Sequence, residues 1–199
     1  HGDWSSDVCS SDLPDMSLFD VLDRLSSLTR MWFRQHPLLV DLQPVQLSAL
    51  MYLARCNRYS NTPLGVTDYL GLTKGTVSQS LKLLENKGLI VRKPDDRDKR
   101  SVHLHLSESA NTLLEALLPP TFLVEGESAM GERASVLREL LLELLRGIQR
   151  TNNVPGFGLC HSCRFHQKID GQGFCNLTKE GLSEEDSLLI CREHQPPET

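Results

Sequence analysis

Apolar positions recur along this chain with two different spacings, and the change from one to the other marks its organisation. Over residues 16–36, Leu18, Val21, Leu22, Leu25, Leu28 and Trp32 fall three or four apart, the period of one helix face. Pro37 closes that helix. Pro44 suits a first helical turn, and Leu47, Leu50, Met51 and Ala54 form the expected buried face of a second helix. A short helix over 63–70 follows, then a tight turn at Gly71-Leu72 and a further helix with Thr73 as its N-cap and Gly88 at its end. In that helix Val77, Leu81 and Leu84 share a face, and Ser78, Gln79 and Lys82 lie on others. Beyond Gly88 the period becomes two. "LIVRKP" and "SVHLHL" flank "DDRDKR", and Val102, Leu104 and Leu106 alternate with Ser101, His103 and His105, which predicts a half-buried hairpin.

The helical period then returns. "ESANTLLEALL" runs into Pro119-Pro120, which bends or breaks it. "GERASVLRELLLELLRGIQR" carries Val136, Leu137, Leu140, Leu141, Leu144, Leu145 and Ile148 as a wide apolar stripe. The turn-rich "TNNVPGFG" reads as a linker over 151–158. The fold class is therefore mainly α with a small β-hairpin wing (α+β). It is a winged helix-turn-helix with N- and C-terminal dimerisation helices and a cysteine-rich tail. The sequence divides into a body over 14–150 with its winged core at 44–107, the linker, and a tail over 159–199. Residues 1–13, "HGDWSSDVCSSDL", share no pattern with the rest. They resemble a translated sequencing adapter, or else a disordered tail, and are set aside, Cys9 with them.

Composition adds limits. The chain has 199 residues, 39% hydrophobic and 24% charged, as a globular protein does. Its longest apolar run, "LLLELL", is interrupted by Glu143, far short of a membrane span. With no secretory signal, the expected setting is cytoplasmic and reducing, where cysteines bind metal or stay free. The net charge of −5 argues against a general nucleic-acid binder, but its distribution reverses that. From Pro44 to Ser107 there are ten Lys/Arg against five Asp/Glu, so a basic module sits inside an acidic protein.

The helix after the turn offers Lys74, Thr76, Ser78, Gln79 and Lys82 to a major groove, where Gln pairs with adenine, Lys with guanine or phosphate, and Ser/Thr with either. Gly75 permits close approach of a phosphate near the helix N-terminus. The wing offers Arg97, Lys99 and Arg100 to phosphates or a minor groove. Asp95, Asp96 and Asp98 would repel DNA, so one or two are expected to pair with Arg97 or Arg100 and stiffen the loop. Asp95 and Asp98 are the wing-structuring candidates.

"LQPVQLSALMYL" and "VTDYLGLTKGTVSQSLKLLENKGLIVRKPDDRDKRSVHLHLSE", with the flanking helices, resemble the MarR (multiple-antibiotic-resistance regulator) family of bacterial repressors over residues 16–150. The most specific piece is the wing pattern Asp-x-Arg-Asp-x-Arg, which falls on Asp95, Arg97, Asp98 and Arg100. The resemblance implies a homodimer with intertwined terminal helices, bound to a palindromic operator in double-stranded DNA. It also implies release by a small-molecule effector or an oxidant. The residues agree on the dimer: helices at 16–36 and 131–150 are more apolar than the winged core can cover, and a partner subunit is the simplest burial for them. The chain departs from the family at Pro119-Pro120 with the sparse "TFLVEGESAMGE", which interrupts a helix the family keeps long, and in its extra tail.

That tail holds Cys160-x2-Cys163-x11-Cys175-x15-Cys191, four of the six cysteines. A C-x2-C pair is a two-thiolate claw, and two further cysteines complete a tetrahedral set. A tail this short and polar needs a metal staple. Its centre is zinc or an iron–sulfur (4Fe-4S) cluster: zinc sites favour two close pairs, whereas single cysteines spread after one pair suit a cluster. His194 is an alternative ligand through Cys191-Arg-Glu-His194. His161 and His166 read as surface residues. The rivals are a thiol switch on the C-x2-C pair and incidental free cysteines. Cys56 reads as a small buried side chain rather than an oxidant sensor. The expected function is a DNA-binding transcriptional regulator, a repressor, acting as a homodimer and responsive to a ligand, redox or metal signal. The rival is a metal-stabilised winged-helix adaptor that binds proteins and not DNA. An enzyme is not expected, because there is no Ser-His-Asp arrangement, no phosphate loop and no thioredoxin-like setting for Cys160 to Cys163.

Overall fold

The computed structural model describes residues 16–95, 100–152, 154 and 156–197. The chain resolves into two compact units, one ending at Pro44 and one beginning at Val45.

The first unit is built on α1 (Leu18–Gln35). Ser17 caps it reciprocally: its hydroxyl accepts from the Asp20 N–H, and the Asp20 carboxylate accepts from the Ser17 N–H at 2.9 Å. His36 is extended, as a residue before proline must be. A 3-10 turn, Pro37–Leu39, follows with the His36 ring accepting from the Leu38 N–H. No residue of α1 is buried, and Leu18, Phe19, Val21, Leu22 and Leu25 stand exposed.

The second unit begins with α2 (Pro44–Leu53). Here the expected single stripe is incomplete. Leu47 and Leu50 are buried as expected, but so are Gln46, Ala49, Tyr52 and Leu53, while Met51 is half-buried and Ala54 is exposed beyond the helix end. The cause is a cover on the face taken for solvent. The Tyr52 ring stacks on Tyr69 with centroids 4.6 Å apart, Phe157 stands edge-on to both, and the Tyr52 hydroxyl donates to the Ser60 carbonyl at 2.8 Å.

α3 (Pro63–Leu70) and α4 (Lys74–Asn86) follow. Each has a threonine N-cap: Thr62 accepts from the Gly65 N–H and Thr73 from the Thr76 N–H. Gly71 joins them in the left-handed region at φ 63°, a conformation that favours glycine. Val77, Ser80, Leu81 and Leu84 seat α4 in the core. β1 (Ile90–Pro94) and β2 (Val102–Leu106) pair antiparallel, with Arg92 opposite Leu104. Of the alternating residues only Leu104 is fully buried; Val102 and Leu106 are half-buried.

α5 (Glu108–Leu117) is capped by Ser107 and packs through Ala110, Leu114 and Leu117. The segment after Pro119-Pro120, which reads in the sequence as an interruption, is a helix of its own, α6 (Thr121–Met130). Pro120 stands at its N-cap, where a missing N–H costs nothing. α7 (Arg133–Thr151) is long, and neither α6 nor α7 buries a residue.

The tail is made of short elements: β3 (Gly158–Leu159), a 3-10 turn (Cys160–Ser162), β4 (His166–Ile169), β5 (Gln172–Cys175), β6 (Glu180–Leu182), α8 (Glu184–Ser187) and β7 (Ile190–Cys191). β4, β5 and β6 form one antiparallel sheet, and β3 pairs with β7. The tail belongs to the same compact unit as the winged core rather than forming a separate body.

Gly65 is where the α2–α3 region is tightest, because a Cβ there would run into the Ser60 carbonyl and lie 2.7 Å from the Tyr52 hydroxyl. Gly65→Ala is expected to cost about 1–3 kcal/mol in a urea melt. Gly75→Ala, whose Cβ would meet nothing closer than 3.9 Å, is expected to leave stability unchanged or slightly raised.

Candidate nucleic-acid interface and thiol cluster

Burial of Val77, Ser80, Leu81 and Leu84 fixes the rotation of α4 about its axis. What remains outside is the face the sequence assigns to DNA: Lys74, Gly75, Thr76, Ser78, Gln79 and Lys82 are all exposed. Lys74, Thr76, Ser78, Gln79 and Lys82 therefore occupy the solvent side of α4 over successive turns. Thr76 has a second task. Its hydroxyl lies 2.9 Å from that of Thr73, and its carbonyl accepts from the Ser80 hydroxyl, so it helps shape the helix start. The first turn of α4 carries no acidic residue, which leaves its positive dipole end open to an anion.

The wing stands beside this face. Arg92 on β1 pairs with Glu85 on α4 at 2.9 Å, tying ribbon to helix. Asp95 does not follow the expected pairing alone: its carboxylate meets the His103 ring at 2.8 Å, and its N–H donates to the Ser101 carbonyl. A neighbour across the ribbon is thus one of the groups that hold it. His103 also meets Asn61 through its other ring nitrogen. Arg100 is exposed at the foot of the loop. Arg97, Asp98 and Lys99, with Asp96, lie outside the described residues, as do residues 1–13.

In the tail, backbone pairing draws four cysteines towards one place. Cys191 stands opposite Gly158 in the β3–β7 pair, and the Cys160 N–H donates to the Leu189 carbonyl at 3.0 Å. The Cys163 N–H donates to the Cys160 carbonyl, and the His166 N–H to that of Cys163. His166 in turn stands opposite Cys175. The Gln195 N–H donates to the Cys163 sulfur at 3.4 Å. Burial pushes the Cys160 thiol up to about 12, and the nearby Cys191, Cys175 and Cys163 sulfurs add to the rise, since thiolates this close repel one another. Cys191 is raised by burial, against which the nearby Asn57 side chain, the Glu193 backbone and the Ser60 side chain act. Among the described residues, no three His, Cys, Asp or Glu side chains already form a metal-ligand group.

The histidines take other partners. His194 Nε2 lies 3.0 Å from the Ser162 hydroxyl, with the ring packed against Gly158. His161 is exposed and bonds the Ser187 carbonyl, whereas His166 is half-buried against the Ser187 hydroxyl and held below its ordinary value by burial. Cys56 is buried at the end of α2, and burial pushes its thiol up to about 12, an inert state.

Nothing in the sequence pattern signals how the tail meets the winged core. Ile190 donates to the Arg55 carbonyl and accepts from the Asn57 N–H, at 2.7 and 2.9 Å. The Arg192 N–H donates to the Ser60 hydroxyl, and its guanidinium to Asp68 on α3 at 2.6 Å. Arg58 reaches Asp186 at 3.2 Å and Glu180 at 3.5 Å, and the Tyr59 hydroxyl donates to Glu180. These partners lie more than a hundred residues apart, beyond any local pattern.

Known proteins share this architecture. Residues 40–101 match the model of the MarR family. The HTH-type transcriptional repressor NicR of Pseudomonas putida is 26% identical over 137 residues, covering 66% of this chain and 86% of that protein. The organic hydroperoxide resistance transcriptional regulator of Bacillus subtilis is 34% identical over 87 residues, 43% of this chain and 58% of its own length. Among solved structures, the S. aureus MepR–DNA complex aligns with a TM-score of 0.53 at 24% identity, over 67% of this chain and 99% of that one. Streptococcus pneumoniae FabT in complex with DNA aligns at 0.53 and 23%, over 67% and 94%. The likeness to the solved structures is one of fold, and the match of sequence falls on the helices and ribbon built around α4. Residues 40–101 of this chain are thus similar to the winged-helix domain of the MarR family.

Proposed function

We propose that this protein is a DNA-binding transcriptional regulator, a repressor that acts as a homodimer in the bacterial cytoplasm. The observation that carries the reading is the outward face of α4. Five side chains able to pair with base edges or phosphates lie together there, with the apolar residues that seat the helix turned inward. The relatives named as transcriptional repressors and regulators support the same reading. No helix among the described residues is long and apolar enough to cross a membrane.

Dimerisation follows from uncovered surface. Leu137, Leu140, Leu141, Leu145 and Ile148 on α7 are all exposed, as is the apolar face of α1. An apolar stripe of that extent calls for a partner, and a second copy supplies the two-fold symmetry a palindrome needs. A ligand, redox or metal signal would then act by changing the separation of the two reading helices. A few kcal/mol of differential binding suffices.

Lys82→Ala and Lys74→Ala are each expected to weaken binding to the promoter of the protein's own operon, and to lower the salt slope by about one unit per lost phosphate contact. Fluorescence anisotropy between low and moderate salt reads both quantities, and unchanged affinity and slope in both variants would refute the assignment of α4. Leu140→Glu is expected to shift the protein from dimer to monomer in sedimentation velocity and to lower operator affinity at least about tenfold, because the half-sites are no longer linked.

A further inference from the structure

The proposed reading of DNA does not use the cysteine tail or its grip on the winged core. We propose that Cys160, Cys163, Cys175 and Cys191 hold one thiophilic metal centre, zinc or a 4Fe-4S cluster, and that Asn57 of the α2–α3 turn is its outer contact, so that filling the centre tightens the tail on the DNA-reading unit.

Three observations support the centre. The four cysteines are gathered by backbone pairing of short strands and one 3-10 turn, not by an apolar core: among the described residues of the tail only Cys160, Leu182 and Ile190 are buried hydrophobics. So small a body needs a staple. N–H donors already point at sulfur, Gln195 at Cys163 being the plainest, and such donors orient thiolate ligands and spread their charge. The third observation is Asn57. It is 1% exposed, and its amide nitrogen is buried without a hydrogen-bond partner. Its other amide atom is used, accepting from the Tyr59 N–H. The nitrogen faces the Cys191 sulfur. A buried donor left unpaired is costly, and a metal-bound thiolate is the acceptor that would satisfy it. Among the described residues the four thiols do not form a closed ligand shell as they stand. Filling the centre would therefore require the sulfurs to draw closer together than they stand. Zinc uptake would displace the thiol protons to solvent.

The coupling follows from chain order. Cys191 lies between Ile190, which bonds both ends of the Arg55–Asn57 segment, and Arg192, which holds Ser60 and Asp68. A ligand on Cys191 is thus one residue away from each half of the clamp. The centre and the clamp stand on their own observations; only an effect on operator binding rests on the regulator reading.

The test uses the full chain purified without oxygen. Elemental analysis is expected to find about one zinc per colourless chain, or about four irons with a broad visible absorption band; either supports the centre. Hydrogen exchange at the Cys56–Asn61 amides is expected to be at least about tenfold slower in filled protein than in chelator-treated protein. Asn57→Ala is expected to lose its metal to a chelator about 10- to 100-fold more readily with all four cysteines intact. Because Asn57 is buried, Arg192→Ala serves as a second arm, expected to keep the metal and lose the exchange protection. The proposal is overturned by protein that neither carries nor takes up either metal, by a Cys160–Cys163 disulfide in the purified chain, or by equal exchange in filled and emptied protein. Operator binding measured on the same samples separates the two readings: protein that binds no DNA in any state refutes the regulator, and metal content and exchange still decide the centre.

Discussion

A turn that is buried must find partners for every backbone group it hides, and four residues of the turn between α2 and α3 are buried. Cys56, Asn57, Ser60 and Asn61 are each no more than 8% exposed. Loops ordinarily run over the surface because their peptide groups need water. This one obtains its hydrogen bonds from three sides. Tyr52 from α2 donates to the Ser60 carbonyl, Leu104 from the wing donates to the Asn61 carbonyl at 2.7 Å, and Ile190 from the tail serves Arg55 and Asn57. Removing any side would leave buried polar groups unpaired, at roughly 1–3 kcal/mol each. Helix, wing and tail are therefore held to one another through this one segment.

What is legible in the sequence is local. Thr73 caps α4 because a short hydroxyl side chain can reach a free N–H three residues on. Gly71 marks a left-handed turn for an equally local reason. The outward face of α4 can be read from the spacing of Val77, Leu81 and Leu84 alone. Long-range cover cannot. Met51 and Ala54 read as inward because period and hydropathy say nothing of Phe157 arriving over Tyr52 from a hundred residues downstream. The helix after Pro119-Pro120 is hidden by weak helix formers such as Gly126 and Ser128, a propensity that the surrounding chain overrides. The four cysteines are visible as a set. The tail's contacts with Asn57 and Asp68 are not, because a lone Asn or Asp carries no periodic signal.

The charge balance also changes once pairs are placed. Ten basic residues in the winged segment suggest a broad positive surface. Two of them face elsewhere: Arg58 is held by Glu180 and Asp186 of the tail, and Arg92 by Glu85. The Arg58 pairs are half-exposed and worth little in stability, about 1 kcal/mol or less each. Their larger effect is to take one cation out of the field DNA would meet. The tail's acidic residues thus have a use: Glu180 and Asp186 hold the winged core while shielding a charge that would bind phosphates without regard to sequence. In the proposed mode Lys74 and Lys82 on α4 would supply attraction beside groups that can discriminate bases.

This arrangement would give the tail access to α4 by way of α3. Asp68, which Arg192 holds, is on α3. α3 and α4 are joined by only Gly71, Leu72 and Thr73, with both ends of that connection fixed, Gly71 by its bond to the Thr67 carbonyl and Thr73 by its cap on Thr76. Val66 and Val77, each no more than 1% exposed, lock the two helices side by side in the core. A tight pair of this kind moves as one body, since close-packed interiors transmit displacement rather than absorb it. A pull on Asp68 would therefore be passed on to α4. In a dimer that reads two half-sites at a fixed spacing, a small tilt on each side is enough to favour one DNA geometry over another.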